Sequence, residues 1–161
     1  MSGARVKLGD LIAGRYRLDA VAGRGGLGVV HRATDTATGR PMQVTVLYAR
    51  IRAVLDPERL DGARDVLRAV AHPALAVPLD LVSDPPAIVT APVGGRSLSG
   101  LLAEGPLDEP AVAAIGARLG AGLAALHEHG PVHRWIRPSA IAVDEDGRPT
   151  LLDVGVTELL K

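Results

Sequence analysis

Three short stretches of this 161-residue chain hold residue types that could do chemistry. The first is GRGGLGVV, where Gly23, Gly25, Gly28 and Val30 follow the pattern G-x-G-x-x-G-x-V. Absent side chains let backbone N–H groups approach a phosphate, and the element after the loop decides its use. A dinucleotide fold needs a helix next, to bring pyrophosphate to the helix N-terminus. Here β-branched residues come next, so the loop joins two strands, the geometry that covers nucleotide phosphates from above. An ordinary glycine-rich hairpin stays open as the alternative.

The second stretch, PVHRWIRPSAI at residues 131–141, contains the only tryptophan. Its indole N–H donates a hydrogen bond and offers no basic lone pair, so Trp135 cannot accept a proton. The third is Asp153-Val154-Gly155, whose carboxylate could meet a metal or simply end a strand in a turn. Lysine occurs only as Lys7 and Lys161, so no ammonium is available to any of these stretches from the chain between them.

The elements that must position these residues divide in two. Residues 16–21 and 29–34 flank the glycine cluster, TDTATGRP supplies a turn, and MQVTVLYA alternates again, which predicts an antiparallel meander. Asp56-Pro57 opens a helix with Leu60, Ala63, Leu67 and Val70 on one face, ending before His72-Pro73. Short extended pieces follow near 75–82 and 87–91. A short helix begins near Ser97, and Asp108 caps a longer one carrying Val112, Ile115, Leu119, Leu123 and Leu126 at helical spacing. A loop and a hairpin turning at Asp146-Gly147 complete the pattern. The shift from β to helix near Pro92 predicts an α+β chain of two lobes joined by a hinge.

Composition sets the outer bounds. The apolar share of 47% with no phenylalanine and no cysteine predicts an aliphatic core without disulfides or thiolate sites. Eighteen basic and eighteen acidic residues cancel, which argues against a nucleic-acid footprint. No unbroken apolar run approaches membrane-spanning length and no apolar signal core opens the chain, so the expectation is a cytoplasmic domain without direct membrane insertion, from a parent chain that could itself be tethered. His127, His129 and His133 are close in sequence, but 127 and 129 point to different sides of a helix end and nothing completes a zinc shell.

From Gly14 to Val156 the chain resembles the front part of a protein kinase, specifically a bacterial Hanks-type serine/threonine kinase of the actinobacterial kind. GRYRLDAVAGRGGLGVVHRATDTATGRP resembles the family's first two strands, and HPALAVPLDL its fourth strand. GPVHRWIRPSAIAVDEDGRPTLLDVG resembles its catalytic loop and metal-binding stretch. The implied domains are an N-terminal tail at 1–13, a kinase-like N lobe at 14–91, a hinge at 92–96 and a partial, mainly helical C lobe at 97–161. VTAPV resembles the family's hinge, with Thr90 as gatekeeper and Ala91 carbonyl and Val93 N–H as adenine partners. The missing N–H of Pro92 costs nothing there.

The resemblance also marks departures. The family's catalytic loop reads H-R-D-x-K-P-x-N, where the aspartate takes the substrate hydroxyl's proton and the asparagine holds magnesium. Here Trp135 stands at the aspartate, Arg137 at the lysine and Ala140 at the asparagine. Thr45 falls at the strand-three lysine and Ala63 at its helix glutamate, with Asp61 and Asp65 on other faces of that helix. Arg24 or Arg32 could substitute for the lysine only as a bulkier group. Asp153 is kept as the one candidate metal ligand. The resemblance therefore implies a degenerate, C-terminally truncated pseudokinase that retains ATP affinity, with weak magnesium dependence, through Gly23, Gly25, Gly28, Val30, Thr90, Ala91, Val93 and Arg137. Its partner by analogy is a signalling or regulatory protein of the forkhead-associated type. A further chain or C-terminal region is expected over the helix near 109–129. A weakly active kinase using non-standard residues and a decayed gene product are the alternatives.

Overall fold

The computed structural model of the chain describes residues 6–53 and 57–156, with the backbone alone at 57–62. The expected cap at Asp56 and the side chain of Leu60 lie outside the described residues. Among these residues two compact units form: one from those up to Arg64 with Pro78–Pro92, the other from Asp65–Val77 with Val93 to Val156.

The first unit is a six-stranded antiparallel sheet. Its strands are β1 (Leu11–Ile12), β2 (Tyr16–Arg24), β3 (Gly28–Asp35), β4 (Pro41–Leu47), β5 (Asp80–Ser83) and β6 (Pro86–Thr90), in the order β1-β2-β3-β4-β6-β5. Alternate residues point to one face, and that face buries Ile12, Leu18, Ala33, Val44 and Val89 together. Strand β1 falls within the stretch read from sequence as a tail; Ile12 is drawn into the core because β1 pairs with β2. The one-turn helix α1 (Ala49–Arg52) follows β4.

Polar bonds lock this unit's turn end. Arg15 grips Asp35 with two donors, Nε at 2.8 Å and a terminal nitrogen at 2.7 Å. Asp35 also accepts from the Ala37 N–H and the Thr38 hydroxyl, closing the β3–β4 turn. The Arg15 guanidinium, with help from those two donors, holds the Asp35 carboxyl well below the usual carboxylate range despite its burial. Tyr16 donates to Asp80 at 3.0 Å, and burial beside that carboxylate pushes the phenol up to about 12.

The second unit is mainly helical. Helix α2 (Pro57–Ala69) contributes Leu67, and Val70 just beyond it is also buried. Helix α3 (Leu98–Glu104) starts at Ser97, whose hydroxyl accepts from the Gly100 N–H at 3.1 Å. Helix α4 (Glu109–Glu128) starts at Asp108, which accepts from the Ala111 N–H at 2.8 Å and has proline in its first turn. A small sheet of β7 (Arg96–Ser97), β8 (Ile141–Val143) and β9 (Pro149–Leu151) carries the hairpin. One 3-10 turn, Pro138–Ala140, leads into β8.

Helix α4 packs along a narrower stripe than its spacing predicts. Ile115, Gly122 and Leu126 are buried, while Val112 is 55% exposed. A Cβ at Gly122 would meet His72 and Leu75, so this glycine brings α4 close to the segment after α2. By length and composition α4 is also apolar enough to cross a membrane. A search for unbroken apolar runs passes over it, because Arg118 interrupts its alanines, leucines and glycines.

Candidate functional site

In the first unit, register settles which candidates share a surface. Val30 lies opposite Thr45 and Arg32 opposite Gln43; on the other side of β4, Thr45 meets Ile88 and Gln43 meets Thr90. The pleat therefore puts Val30, Arg32, Thr45 and Thr90 on one sheet face, opposite the buried Val44 and Val89. Thr45 brings a half-buried hydroxyl to the middle of that face and no charge. Arg32 shares the face but is exposed to solvent, and Arg24 at the end of β2 is exposed as well. Ala63 sits half-buried on α2 and offers a methyl group only.

The glycine loop is a tethered hairpin. The Gly25 N–H donates to the Gly28 carbonyl at 2.9 Å, so one amide expected to face a phosphate is already bonded within the turn. Gly28 is required for another reason: a Cβ there would collide with the Val46 carbonyl of the neighbouring strand. Space around Gly23 is open. Leu27, at the tip, is buried, its carbonyl accepts from the Tyr48 N–H at 2.9 Å, and Arg50 donates to the Gly26 carbonyl at 2.8 Å. These anchors at Leu27, Tyr48 and Arg50 went unread in the sequence, where a lone leucine among glycines signals little. Ala91 follows β6 and is exposed; Val93 is half-buried in the segment belonging to the second unit.

In the second unit the loop after α4 is held from its histidine. His133 is 1% exposed. Its Nε2 faces the Leu152 carbonyl at 2.7 Å, and its Nδ1 faces the Trp135 N–H at 3.3 Å. A carbonyl only accepts, so Nε2 carries a proton and donates to it. The Leu152 N–H in turn donates to the Ala140 carbonyl at 2.8 Å, tying the loop to the strand that precedes Asp153. His129 is occupied elsewhere, its Nδ1 against the Ala125 carbonyl at 2.9 Å.

Two non-glycine residues of this site take left-handed backbone, Arg134 at φ 57° and Asp153 at φ 59°. Such angles are uncommon outside glycine and persist where surrounding bonds over-determine them. Val154 is buried beside Asp153, and Gly155 has φ 79° with Leu67 where its Cβ would be. Trp135 is half-exposed, and the Arg137 guanidinium lies 4.6 Å from its ring centroid. That stack was not foreseen from the sequence.

Burial pushes the Asp153 carboxyl above its ordinary value, with the Arg137 guanidinium and then His133 acting in the opposite direction. The donor set does not fit magnesium, which wants several oxygen ligands in near-octahedral order. Ala140 is 1% exposed and carries no oxygen on its side chain. No cluster of three or more histidine or carboxylate side chains that could hold a metal exists among the described residues. Asp153 is left with a cation, not a second ligand, acting on it.

A sheet-based unit with a tethered glycine loop, and a helical unit whose His133 loop leads into a hairpin ending at Asp153, define a kinase-type α+β architecture. The protein kinase domain family matches residues 16–161, and the chain belongs to that family. Curated relatives include bacterial serine/threonine kinases. It is 39% identical over 152 residues to the probable serine/threonine-protein kinase PkwA of Thermomonospora curvata, covering 91% of this chain and 20% of that protein. It is 35% identical over 152 residues to the serine/threonine-protein kinase PknL of Mycobacterium bovis, covering 91% of this chain and 38% of that protein. Among solved structures, the PknI kinase domain of Mycobacterium tuberculosis superposes with a TM-score of 0.83 at 22% identity, over 95% of this chain and 63% of that one. The chain therefore spans well under half of these curated relatives and about two thirds of the solved domain.

Proposed function

We propose that this chain is a catalytically impaired pseudokinase domain, a regulatory or scaffolding module with residual adenine-nucleotide affinity. The observation that carries this reading is the loop of His133. It keeps its hydrogen-bonded frame, but an indole stands where the family's proton acceptor belongs, stacked on Arg137. Removing a general base costs roughly 10²–10⁴ in rate. Thr45 without charge and Ala140 without oxygen remove the phosphate-facing cation and a second metal ligand as well, with effects that do not simply add.

What supports nucleotide affinity is the scaffold of the first unit: Val30, Thr45 and Thr90 on one sheet face, with the glycine loop beside them. The output is conformational, received by a cytoplasmic signalling or regulatory protein. A partner of the forkhead-associated type is the analogue to try first.

Two measurements test the reading together. Thermal melting with ATP should show a saturable rise; a ligand at 100 times its dissociation constant adds about 2.7 kcal/mol to the folded state. Radiolabelled ATP should leave no label on the chain or on a generic substrate protein. Label transfer that Asp153→Ala abolishes would establish the competing reading, a weakly active kinase built on non-standard residues. A clean melt that ATP does not move would leave a surface scaffold without a nucleotide function.

A further inference from the structure

The two ends of the first unit's sheet are tied to each other. Among the described residues β1 pairs only with β2, and β5 only with β6. Yet Tyr16 of β2 donates to Asp80 of β5 at 3.0 Å, and Ile12 of β1 shares a core with Val82 and Ala87. A cavity of about 390 Å³ is lined by Leu11 and Ile12 from β1, by Asp84 and Pro85 from the turn between β5 and β6, and by Asp10 and Arg52.

Three features of this cavity point to one kind of occupant. The first is backbone. Leu11 stands opposite Arg17, and the Leu18 N–H donates to the Asp10 carbonyl at 3.0 Å. In an antiparallel ladder this makes Leu11 and Arg17 a non-hydrogen-bonded pair, so the N–H and C=O of Leu11 turn away from β2 toward the open edge. The second is the Leu11 side chain, 50% exposed on an edge strand, where protected edges carry charge instead. The third is charge of both signs: Asp84 and Arg52 have no hydrogen bond or ion pair among the described residues.

A small ion would use one of these charges and leave the apolar wall and the backbone groups idle. An extended peptide uses all of them, with main-chain bonds to Leu11, an aliphatic side chain in the cavity, and flanking charges for Arg52 and Asp84. We propose that this edge docks an extended segment of a partner protein, which adds a strand to β1 and carries an aliphatic residue between one basic and one acidic residue at alternate positions. The glycine loop and the His133 loop take no part, so docking needs no nucleotide.

The probes are capped heptapeptides whose alternate residues share a face: Thr-Lys-Thr-Val-Thr-Glu-Thr, its isomer with lysine and glutamate exchanged, and a neutral form with glutamine at both places. Each is titrated into the ¹⁵N-labelled 161-residue chain while amide shifts are followed. One charge order is expected to give saturable shifts centred on Leu11 and Asp84, with a dissociation constant about tenfold below that of the neutral form. The double exchange Arg52→Asp/Asp84→Arg should pass the preference to the other order. The inference is overturned by no saturable shift at Leu11 up to about 5 mM peptide, by charged and neutral forms that bind alike, or by a preference that the double exchange leaves unchanged.

Strand addition has its own signature, read without altering the chain. N-methylation of the lysine, valine and glutamate blocks one edge of the peptide, and N-methylation of the threonines blocks the other. One set should abolish binding and the other should leave it within about threefold. Loss with both sets, or with neither, overturns strand addition and the inference with it. Sedimentation of the unliganded chain is expected to be the same for wild type and Leu11→Glu. Self-association that Leu11→Glu abolishes would put a second copy on this edge and overturn the proposal of a partner peptide.

Discussion

The Arg137 guanidinium lies over the indole of Trp135, 4.6 Å from the ring centroid. Two residues apart in the loop after α4, an aromatic ring and a cation form one stack. The contact is coherent physically: the guanidinium finds a ring face, and the ring gains a cation in place of solvent. Trp135 is the only tryptophan in the chain, so its emission reports on this contact directly. Arg137→Ala should change the intrinsic emission spectrum and lower stability by about 0.5–1 kcal/mol, the usual worth of such a contact near the surface. Unchanged emission in a folded Arg137→Ala would mean that the stack does not persist in solution.

Gly28 and Gly23 share a motif but not a role. A Cβ at Gly28 runs into the Val46 carbonyl, whereas nothing lies near Gly23. Gly28→Ala is therefore expected to cost about 1–3 kcal/mol, the range for overpacking a closed site. Gly23→Ala should stay within about 0.5 kcal/mol of wild type, as at an open surface position. Urea denaturation of the two variants checks this, and similar losses in both would contradict the register of β3 and β4.

Acid should weaken the first unit through Asp35. Its carboxyl is held down in the folded state by Arg15, so the stabilisation is fully present above the unfolded carboxylate value of about 3.9 and drains away as pH falls below it, toward the lower folded value. Asp35→Asn should lower the melting temperature at pH 7, and the gap to wild type should narrow once the pH is below about 4. A gap that stays constant from neutral to acid pH would assign the loss to the turn's hydrogen bonds, not to charge.

Helix α4 should be sensitive where its apolar stripe is covered and not where it is open. Leu126 is fully buried, and truncation to alanine is expected to cost about 2–5 kcal/mol. Val112 is 55% exposed, and Val112→Glu should change stability by no more than about 0.5 kcal/mol. A large loss at Val112 would show that its face is covered in solution, by a second copy of the chain or by another protein.

Local pattern made much of this protein legible. Alternation named the strands around the glycine loop, Ser97 and Asp108 announced two helix starts through side chains that accept from the first free amides, and Asp146-Gly147 marked the hairpin turn. That Trp135 cannot accept a proton is likewise a matter of residue type, since an indole is no base wherever it is placed. Such properties live within a few residues of one another or in one side chain, and need no fold to express them.

Tertiary structure decided what depends on residues far apart meeting. Only register across β3, β4 and β6 puts Val30, Thr45 and Thr90 on one face, because a slip of one residue would send each to the other side. Only packing explains why Gly28 must lack a side chain, why Leu27 anchors the loop, and why β1 forms in a stretch that reads as a tail. Helical spacing grouped Val112 with Leu126, but a stripe is buried only where something lies against it, and Ile115 and Leu126 are covered while Val112 is not. The charge relation of Arg137 to Asp153 belongs here too: sixteen residues separate them in sequence, and burial, which multiplies the effect of a nearby charge, is a property of the folded chain alone.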